Sequence, residues 1–253
     1  MLLSPQTEAC LLGNSHIHNS CILIWTLIMN LSFQLDSSKT IATDIHTFIV
    51  AGWAGRDSAA VEHHIAELAA IGVARPSTVP LFYRVAENQL TQASRIQVVG
   101  PDTSGEVEVL IFNVKGELYL SLTSDHTDRK HEASSVALSK QLCAKPVGRT
   151  AWRFSSVAEQ WDELVIRSVI EENGREVVYQ EGALSALRHP LDLAEKYSGS
   201  STSLPEGFAM SCGTVPATGG IRPSSSFLME LEDPRTGRTL QHRYAIDVLP
   251  EIS

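Results

Sequence analysis

The segment SGEVEVLIFNVKGELYLSLTSD, residues 104–125, decides the fold of this chain. Its apolar, β-branched and aromatic residues predict two strands, at 107–113 and 117–123. Lys115-Gly116 lies between them and has the composition of a tight hairpin turn. The segment therefore predicts an antiparallel strand pair at the centre of a β-rich protein.

The same segment carries three acidic residues. Residues two apart on a strand point to the same face, so Glu106 and Glu108 are expected to lie side by side. Adjacent carboxylates repel each other unless something binds them, and Mg²⁺, Mn²⁺ and Ca²⁺ prefer oxygen ligands. Asp125, at the end of the next strand, would complete a three-oxygen metal site. The alternative is a strand whose polar face is solvated.

Further strands and helices follow from pattern and turn signals. Many short strands with few helices indicate a β-rich roll or sandwich. Asn173-Gly174 is the strongest hairpin signal in the sequence. Asp57 or Ser58 is expected to cap a helix that ends at Gly72. The remaining predicted strands are 31–35, 46–51, 81–85, 96–99, 165–170, 176–179, 207–213, 227–231 and 240–249, and the remaining predicted helices are 133–142 and 184–196.

Composition excludes several classes of protein. The chain has 253 residues, 43% hydrophobic and 19% charged, as in ordinary soluble globular proteins. Its formal net charge of -9 and the lack of basic runs argue against nucleic acid as a partner. The four cysteines, at positions 10, 21, 143 and 212, are scattered, which favours buried free thiols in a reducing, cytoplasmic location.

The N-terminus differs from the rest of the chain. Residues 1–38 contain no Lys or Arg, and residues 21–33 are largely apolar. That stretch is shorter than the ~20 apolar residues of a membrane span, and it lacks the basic start of a signal peptide. We therefore expect no membrane association. Residues 1–28 are predicted to be an extension outside the fold, and residues 29–253 a single domain.

A predicted helix carries a candidate general base. His64 and Glu67 are three residues apart and share a helix face. A glutamate that accepts from one imidazole nitrogen leaves the other nitrogen free to take a proton from water. His63, four residues before Glu67, is a rival, and a solvated helix face is the alternative for both. The spacing is not HExxH, so a zinc protease is not indicated.

Several basic residues and one turn are candidates for anion recognition. Arg56, Arg129 and Lys140 have side chains suited to binding a carboxylate or an enolate, although a basic residue taken alone is more often a surface charge. The turn GTVP, residues 213–216, could present backbone N–H groups to an oxyanion.

In combination and in order, these motifs resemble those of the fumarylacetoacetate hydrolase family. The resemblance spans roughly residues 48–220, and three positions depart from the family pattern: Ser124 stands for Asn, Arg84 for Lys, and GTVP for GTP. The matching residues, in chain order, are GWAGRD with His64 and Glu67, then Pro80, Phe82, Tyr83 and Arg84, then Glu106 and Glu108, SDHTDR at 124–129, Lys140, Asn173-Gly174 with Gln180, LPEG at 204–207 and GTVP.

The resemblance implies a fold, a cofactor and a chemistry. The fold is α+β and β-rich, a mixed β-sheet roll with short peripheral helices. One Mg²⁺ or Mn²⁺, or else Ca²⁺, is expected on Glu106, Glu108 and Asp125. The substrate is expected to be a small 1,3-dicarbonyl or 2-oxo acid that chelates the cation and reacts through a metal-stabilised enolate. Family members are commonly homodimers, so a homodimer is expected.

The resemblance also implies roles for the other candidates. His64, oriented by Glu67, would activate water or move a proton, while Lys140 and Arg129 would neutralise developing charge. The residues expected to bind the substrate are Arg56, Tyr83, Arg84, Gln180, Gly213 and Thr214. The expected activity is a metal-dependent C–C bond hydrolase or lyase. The alternatives are a decarboxylase, isomerase or cyclase on the same site, or a non-catalytic small-molecule binding protein.

Overall fold

The structure, a computed structural model, describes residues 29–35, 38–70, 74–199 and 204–252. The predicted extension at residues 1–28 lies outside the described residues, as does Gly72, the predicted end of the first helix.

The described residues form mostly strands, with a few short helices. The strands, in chain order, are β1 (Met29–Gln34), β2 (Thr40–Ile45), β3 (Thr47–Gly52), β4 (Leu81–Val85), β5 (Leu90–Thr91), β6 (Arg95–Val99), β7 (Thr103–Ser104), β8 (Val107–Val114), β9 (Glu117–Ser124), β10 (Thr127–Asp128), β11 (Lys145–Pro146), β12 (Trp152–Arg153), β13 (Val165–Glu172), β14 (Arg175–Ala183), β15 (Phe208–Ser211), β16 (Ser226–Asp233) and β17 (Arg238–Leu249). The α-helices are α1 (Ser58–Ala70), α2 (Arg129–Glu132), α3 (Val136–Gln141) and α4 (Pro190–Ser198), and short 3₁₀ turns lie at Glu87–Gln89, Phe154–Ser156, Trp161–Glu163 and Leu184–Ala186.

Two mixed sheets dominate the architecture. One has six strands in the order β12-β9-β8-β15-β3-β4, and the other has five in the order β14-β13-β16-β17-β6. Within them β15 pairs with β3 and β17 pairs with β6 in parallel, while the other pairs are antiparallel. The expected β-rich, mixed-sheet α+β fold is therefore confirmed.

The six-stranded sheet is covered on both faces. All eight residues of β8 are buried. Val109 and Ile111 belong to the apolar cluster shared with the five-stranded sheet, while Leu110 and Phe112 point to the opposite face. There the β1–β2 hairpin packs on the sheet, with the Phe33 ring stacked 4.3 Å from the Phe112 ring. Strand β1, which begins at Met29, supplies the core residues Leu31 and Phe33 and is therefore part of the fold.

The predicted hairpins have the expected backbone geometry. Lys115 and Gly116 have φ values of 53° and 82°, and Asn173 and Gly174 have φ values of 52° and 73°. Positive φ at both central residues is the requirement of a type I′ turn, whose twist matches that of the flanking strands. Both turns therefore fix the register of the strands that they join.

The helices differ in part from the prediction. Asp57 Oδ1 accepts from the N–H groups of Ala59 and Ala60, so the predicted cap of α1 is confirmed. The helix predicted at 133–142 begins only at Val136, because Ser135 Oγ caps α3. The helix predicted at 184–196 is wrong in its first half: Pro190 cannot lie inside a helix and instead begins α4.

Candidate metal centre

Three carboxylates meet where β8 begins and β9 ends. Val107 is paired with Ser124, and the N–H of Asp125 donates to the carbonyl of Glu106 over 3.0 Å. This register places Glu106, Glu108 and Asp125 together, with one carboxylate oxygen of each within 4.8 Å of the others. Glu108 and Asp125 are buried and Glu106 is partly exposed, so the cluster opens to solvent on the Glu106 side.

Glu108 is a carboxylate in an unfavourable place. Burial and the nearby charge of Asp125 raise the pKa of Glu108 to about 8. Two donors oppose this effect at Oε2: the hydroxyl of Ser211, and the N–H of Gly213 at 3.0 Å. A divalent cation would relieve the repulsion, because it replaces the missing positive charge beside this carboxylate.

Asp125 is compensated by two lysines. The ammonium group of Lys140 donates to Oδ2, and that of Lys145 lies 3.0 Å from Oδ1. Burial raises the pKa of Asp125, but the two ammonium groups outweigh it and hold that pKa below its ordinary value. Lys145 also donates to the carbonyl of His126 and is fully buried, whereas the side chain of Lys140 is 8% exposed.

Lys145 was missed by sequence reasoning. It lies in the two-residue strand β11, which pairs in parallel with β5 more than 50 residues earlier in the chain. No motif or periodicity around KP predicts that this side chain reaches Asp125. The only available signal was a lysine within an otherwise uncharged, partly apolar stretch, which is also typical of a surface loop.

Arg129 binds the first carboxylate. Its Nη2 lies 2.9 Å from Glu106 Oε1, its Nε donates to Ser104 Oγ over 2.7 Å, and its Nη1 contacts Glu132 at 2.9 Å. Sequence analysis expected Arg129 to neutralise charge, and the structure brings it into the acidic cluster. Its present contacts orient Glu106.

A buried polar network holds the loop that carries Asp125. His126 Nδ1 lies 3.0 Å from the Tyr244 hydroxyl, and its Nε2 lies 2.9 Å from Thr103 Oγ1. Tyr244 also shares a 2.9 Å hydrogen bond with Ser124. Burial lowers the pKa of His126 to about 3, so the ring is neutral at physiological pH. Sequence reasoning missed this network because its members come from distant segments.

The GTVP turn lies behind Glu108, supported by Gln180. The amide of Gln180 accepts from Val107 N–H and Ser168 Oγ, and donates to Thr214 Oγ1 and Val215 O. These four bonds use the whole hydrogen-bonding capacity of the amide. Gln180 therefore positions the turn. Its amide has no hydrogen-bonding capacity left for a substrate, so substrate contact by Gln180 stays a prediction.

Gly213 and Thr214 are likewise turned into the protein. The Gly213 N–H faces Glu108, and Thr214 Oγ1 donates to the carbonyl of Val107 over 2.7 Å. A Cβ on Gly213 would lie 2.6 Å from Ala54 Cβ, so glycine permits this close approach. The Gly213 N–H therefore contacts a carboxylate of the cluster, and presentation of N–H groups of this turn to an oxyanion stays a prediction.

Tyr83 and Arg84 point to opposite faces of β4. Lys140 Nζ lies 5.5 Å from the centre of the Tyr83 ring, which places Tyr83 beside the acidic cluster. Arg84 lines a separate surface hollow with Thr47 and Tyr197. The structure therefore brings only Tyr83 to the cluster, and substrate binding by Arg84 has no supporting contact.

The predicted general base, His64, and its partner Glu67 lie outside the acidic cluster. His64 Nδ1 is 3.5 Å from Glu67 Oε2, and the rival His63 Nε2 is 3.7 Å from Glu67 Oε1. The side chain of His64 is 62% exposed. Its ring centre lies 5.9 Å from that of Trp53, the residue that follows β3. Glu67 thus orients either histidine, and neither contacts a described residue of the acidic cluster.

Arg56 also lies apart from the acids. Its guanidinium forms two hydrogen bonds to Asp162, of 2.7 and 2.6 Å, and its Nε donates to the carbonyl of Leu187. These contacts join the entrance of α1 to the segments around Trp161–Glu163 and Leu184–Ala186. The structure gives Arg56 a role in fixing this loop, and its role toward a substrate stays a prediction.

Two of the four cysteines lie in the described residues. Cys143 and Cys212 are free and buried, which confirms the expectation for these two. Cys10 and Cys21 lie outside the described residues.

The donor set suits a hard divalent cation. Three carboxylate oxygens within 4.8 Å of one another offer the ligand chemistry that Mg²⁺ and Mn²⁺ prefer. The repulsion that raises the pKa of Glu108 is what such a cation would relieve. The residues present therefore fit the metal that the resemblance implies.

A family model matches most of the chain. It covers residues 51–244, and its description is a protein of unknown function, DUF2848. The chain belongs to the DUF2848 family. The acidic cluster, both lysines and the GTVP turn of this DUF2848 protein all lie within the matched residues. No curated protein matches the chain.

Solved structures share the fold. A proposed fumarylpyruvate hydrolase from Burkholderia cenocepacia matches 94% of this chain and 100% of its own length, at 16% identity and a TM-score of 0.60. A proposed fumarylacetoacetate isomerase/hydrolase from Oleispira antarctica matches 85% and 99%, at 14% identity and a TM-score of 0.61. At these identities the likeness shows the fold, so the fumarylacetoacetate hydrolase fold is confirmed.

A third structure of this fold was solved with a metal. It is a 2-keto-3-deoxy-D-arabinonate dehydratase complexed with magnesium and 2,5-dioxopentanoate. It matches 84% of this chain and 77% of its own length, at 13% identity and a TM-score of 0.56.

None of the described helices combines the length and the apolar character that crossing a bilayer requires.

Proposed function

We propose that this protein is a metal-dependent enzyme of the hydrolase or lyase type that acts on a 1,3-dicarbonyl or 2-oxo acid. The observation that carries the proposal is the convergence of Glu106, Glu108 and Asp125 within 4.8 Å, in a cluster where two of the three are buried. Glu108 is buried and its donors Ser211 and Gly213 are neutral, so its carboxylate is costly to keep without a bound cation. The structurally similar dehydratase, which was solved with magnesium, supports the proposal of a metal-dependent enzyme.

Each residue of the cluster has a distinct part in this proposal. Glu106, Glu108 and Asp125 would hold Mg²⁺ or Mn²⁺, which when bound supplies Lewis acidity toward a substrate carbonyl. Arg129 fixes the orientation of Glu106, and Lys145 fixes that of Asp125.

Lys140 is the residue of the cluster best placed to meet a substrate. Its side chain is 8% exposed, whereas that of Lys145 is fully buried, and it contacts both Asp125 and the Tyr83 ring. Its ammonium group can therefore neutralise a substrate carboxylate or the charge that develops as the α-carbon loses a bond.

The hydrolytic reaction also requires a base. With Nδ1 donating to Glu67, His64 keeps Nε2 free to accept a proton from water. The exposure of His64 specifically favours a second candidate, a decarboxylase, isomerase or cyclase that uses the cluster without this base. His64→Ala separates the two. Loss of turnover with metal binding intact supports hydrolysis, whereas retained turnover supports the second candidate.

The proposal is tested by assaying acylpyruvates and oxaloacetate with purified protein in Mg²⁺, in Mn²⁺ and after chelation. Turnover is expected only with metal, and Lys140→Met is expected to reduce kcat/KM by at least about tenfold, or ~1.4 kcal/mol. Glu62→Gln, on the exposed face of α1 where Glu62 pairs with Arg75, serves as the matched control with unchanged turnover. Metal binding without turnover of any of these substrates would contradict the proposed enzymatic activity and would favour a small-molecule binding protein.

The homodimer, the cytoplasmic location and the domain limits of 29–253 remain predictions.

A further inference from the structure

Trp53 has an unusual backbone conformation at the end of β3. Its φ is 59°, in the left-handed region that side chains with a Cβ avoid. A bulky residue held in this region costs folding free energy, and such residues concentrate at functional sites. The conformation turns the chain sharply between β3 and α1, so the position of the indole is set by the backbone.

The Trp53 side chain contacts two of the predicted site residues. Burial raises the pKa of the Tyr83 hydroxyl and the nearby Trp53 indole N–H opposes that rise, and the Trp53 ring lies 5.9 Å from the His64 ring at an angle of 52°. A Cβ on the preceding Gly52 would lie only 2.9 Å from the Tyr83 ring, so glycine lets that ring lie close against the backbone. Trp53 is thereby fixed between Tyr83 and the exposed histidine.

Two neighbours of Trp53, Tyr83 and Ala54, connect it to the acidic cluster. Tyr83 contacts Lys140, which binds Asp125. On the other side, Ala54 packs on Gly213, whose N–H donates to Glu108. The indole is nevertheless partly exposed to solvent. It therefore offers a partly exposed apolar surface that is linked to the charged cluster through Tyr83 and Ala54.

We propose that Trp53 determines substrate specificity by stacking on a planar apolar substituent of the substrate. This inference rests on the proposed function, because it assumes that the polar end of the substrate binds at the cluster. The charged residues recognise the 2-oxo acid or 1,3-dicarbonyl end, and the indole face receives the remainder. The substrate is then a dicarbonyl or 2-oxo acid with an aromatic or extended conjugated group, since aromatic rings pair favourably with such surfaces.

Calorimetry with three probes tests the inference in the presence of Mg²⁺. Oxalate reports the chelating end alone, pyruvate carries a methyl ketone in place of one oxalate carboxylate, and phenylpyruvate adds a planar ring to pyruvate. We expect wild-type protein to bind phenylpyruvate at least about tenfold more tightly than pyruvate. This comparison needs no variant. In Trp53→Ala the preference for phenylpyruvate is expected to disappear, while oxalate affinity changes less than about twofold.

Trp53→Phe is the matched variant. It keeps an aromatic face and loses the indole N–H, so it is expected to retain most of the preference for phenylpyruvate. Equal affinity of wild type for pyruvate and phenylpyruvate would overturn the inference while oxalate binding left the proposed function intact. An unchanged preference in Trp53→Ala would overturn it as well. Absence of oxalate binding in wild type would instead overturn the proposed function, and this inference with it.

Discussion

Lys145 and Asp125 form an ion pair of 3.0 Å in which the two side chains are 0% and 1% exposed. Lys140 occupies the other oxygen of the same carboxylate. The cluster thus holds three acids together with Lys140, Lys145 and Arg129, so its positive and negative charges are nearly balanced. A cation can enter the cluster most readily on the side of Glu106, whose side chain is 19% exposed, because Lys140 and Lys145 enclose Asp125.

Removing Lys145 is expected to destabilise the protein. Lys145→Met leaves Asp125 with one ammonium group instead of two, and breaking a buried pair costs about 3 kcal/mol. The free energy of unfolding from urea titration in EDTA checks this value. Lys130→Met is the control, because Lys130 pairs with Glu251 at the surface and its loss is expected to leave the titration unchanged. Equal stability of both variants would show that the Lys145 pair contributes nothing.

Metal affinity is expected to depend on pH through Glu108. Its pKa of about 8 means that a proton must leave before the carboxylate can bind a cation. Mg²⁺ affinity should therefore rise by up to about tenfold per pH unit below pH 8 and level off above it. In the metal-free protein the sign is opposite. The raised pKa contributes stability that is complete below the unfolded value of 4.5 and is lost as pH rises through about 8.

Calorimetry at pH 6, 7, 8 and 9 measures this dependence. Ser211 donates to Glu108 and lowers its pKa, so Ser211→Ala is expected to move the whole profile to higher pH. Mg²⁺ affinity that is constant from pH 6 to 9 would contradict a protonated Glu108.

Gln180 is expected to be a structural residue of the site. Gln180→Leu removes all four hydrogen bonds of the amide, including those to the buried Val107 N–H and Ser168 Oγ, which should cost about 2 kcal/mol in the free energy of unfolding. It should also weaken Mg²⁺ binding, because the turn that donates to Glu108 loses its support. Gln241→Leu, at an exposed glutamine, is the control and should change stability by less than about 0.5 kcal/mol. A large effect on substrate affinity with no loss of stability would instead favour direct substrate contact.

The buried thiols are expected to be unreactive. Burial raises the pKa of Cys143 to about 11, so little thiolate is present at pH 8, and Cys212 is buried as well. In a Cys10→Ser/Cys21→Ser background, a thiol reagent at pH 8 should label no cysteine in native protein and two in denaturant. Rapid labelling of native protein would contradict the burial of these two side chains.

Sequence reasoning succeeded where the signal is local. Type I′ turns need positive φ at two residues, and the dipeptides Asn173-Gly174 and Lys115-Gly116 predict this conformation from the sequence alone. The period of two along β8 likewise places Glu106 and Glu108 on one face, and the hairpin brings Asp125 beside them. Strand β2 was missed because threonine and alanine alternate with its isoleucines, which weakens the apolar pattern.

Sequence reasoning failed where the contact depends on distant segments. Lys145 contacts Asp125 because β11 pairs in parallel with β5. Gln180, in the five-stranded sheet, accepts a hydrogen bond from Val107 in the six-stranded sheet. No spacing in the sequence predicts either contact. Conversely, His64 and Glu67 are marked by spacing, and the structure pairs them but leaves them at the surface. Spacing identifies neighbours on one element, whereas tertiary packing decides which elements meet.

The central claim is that Glu106, Glu108 and Asp125 bind a divalent cation. The most direct measurement is a titration of Mn²⁺ and Mg²⁺ into chelator-stripped protein by calorimetry at pH 8, with oxalate present, for wild type and for Glu106→Gln, Glu108→Gln and the surface control Glu62→Gln. We predict one site per chain with affinity near the micromolar range, lost in both cluster variants and kept in the control. Absence of binding to wild type, or equal binding to all four proteins, would contradict the account.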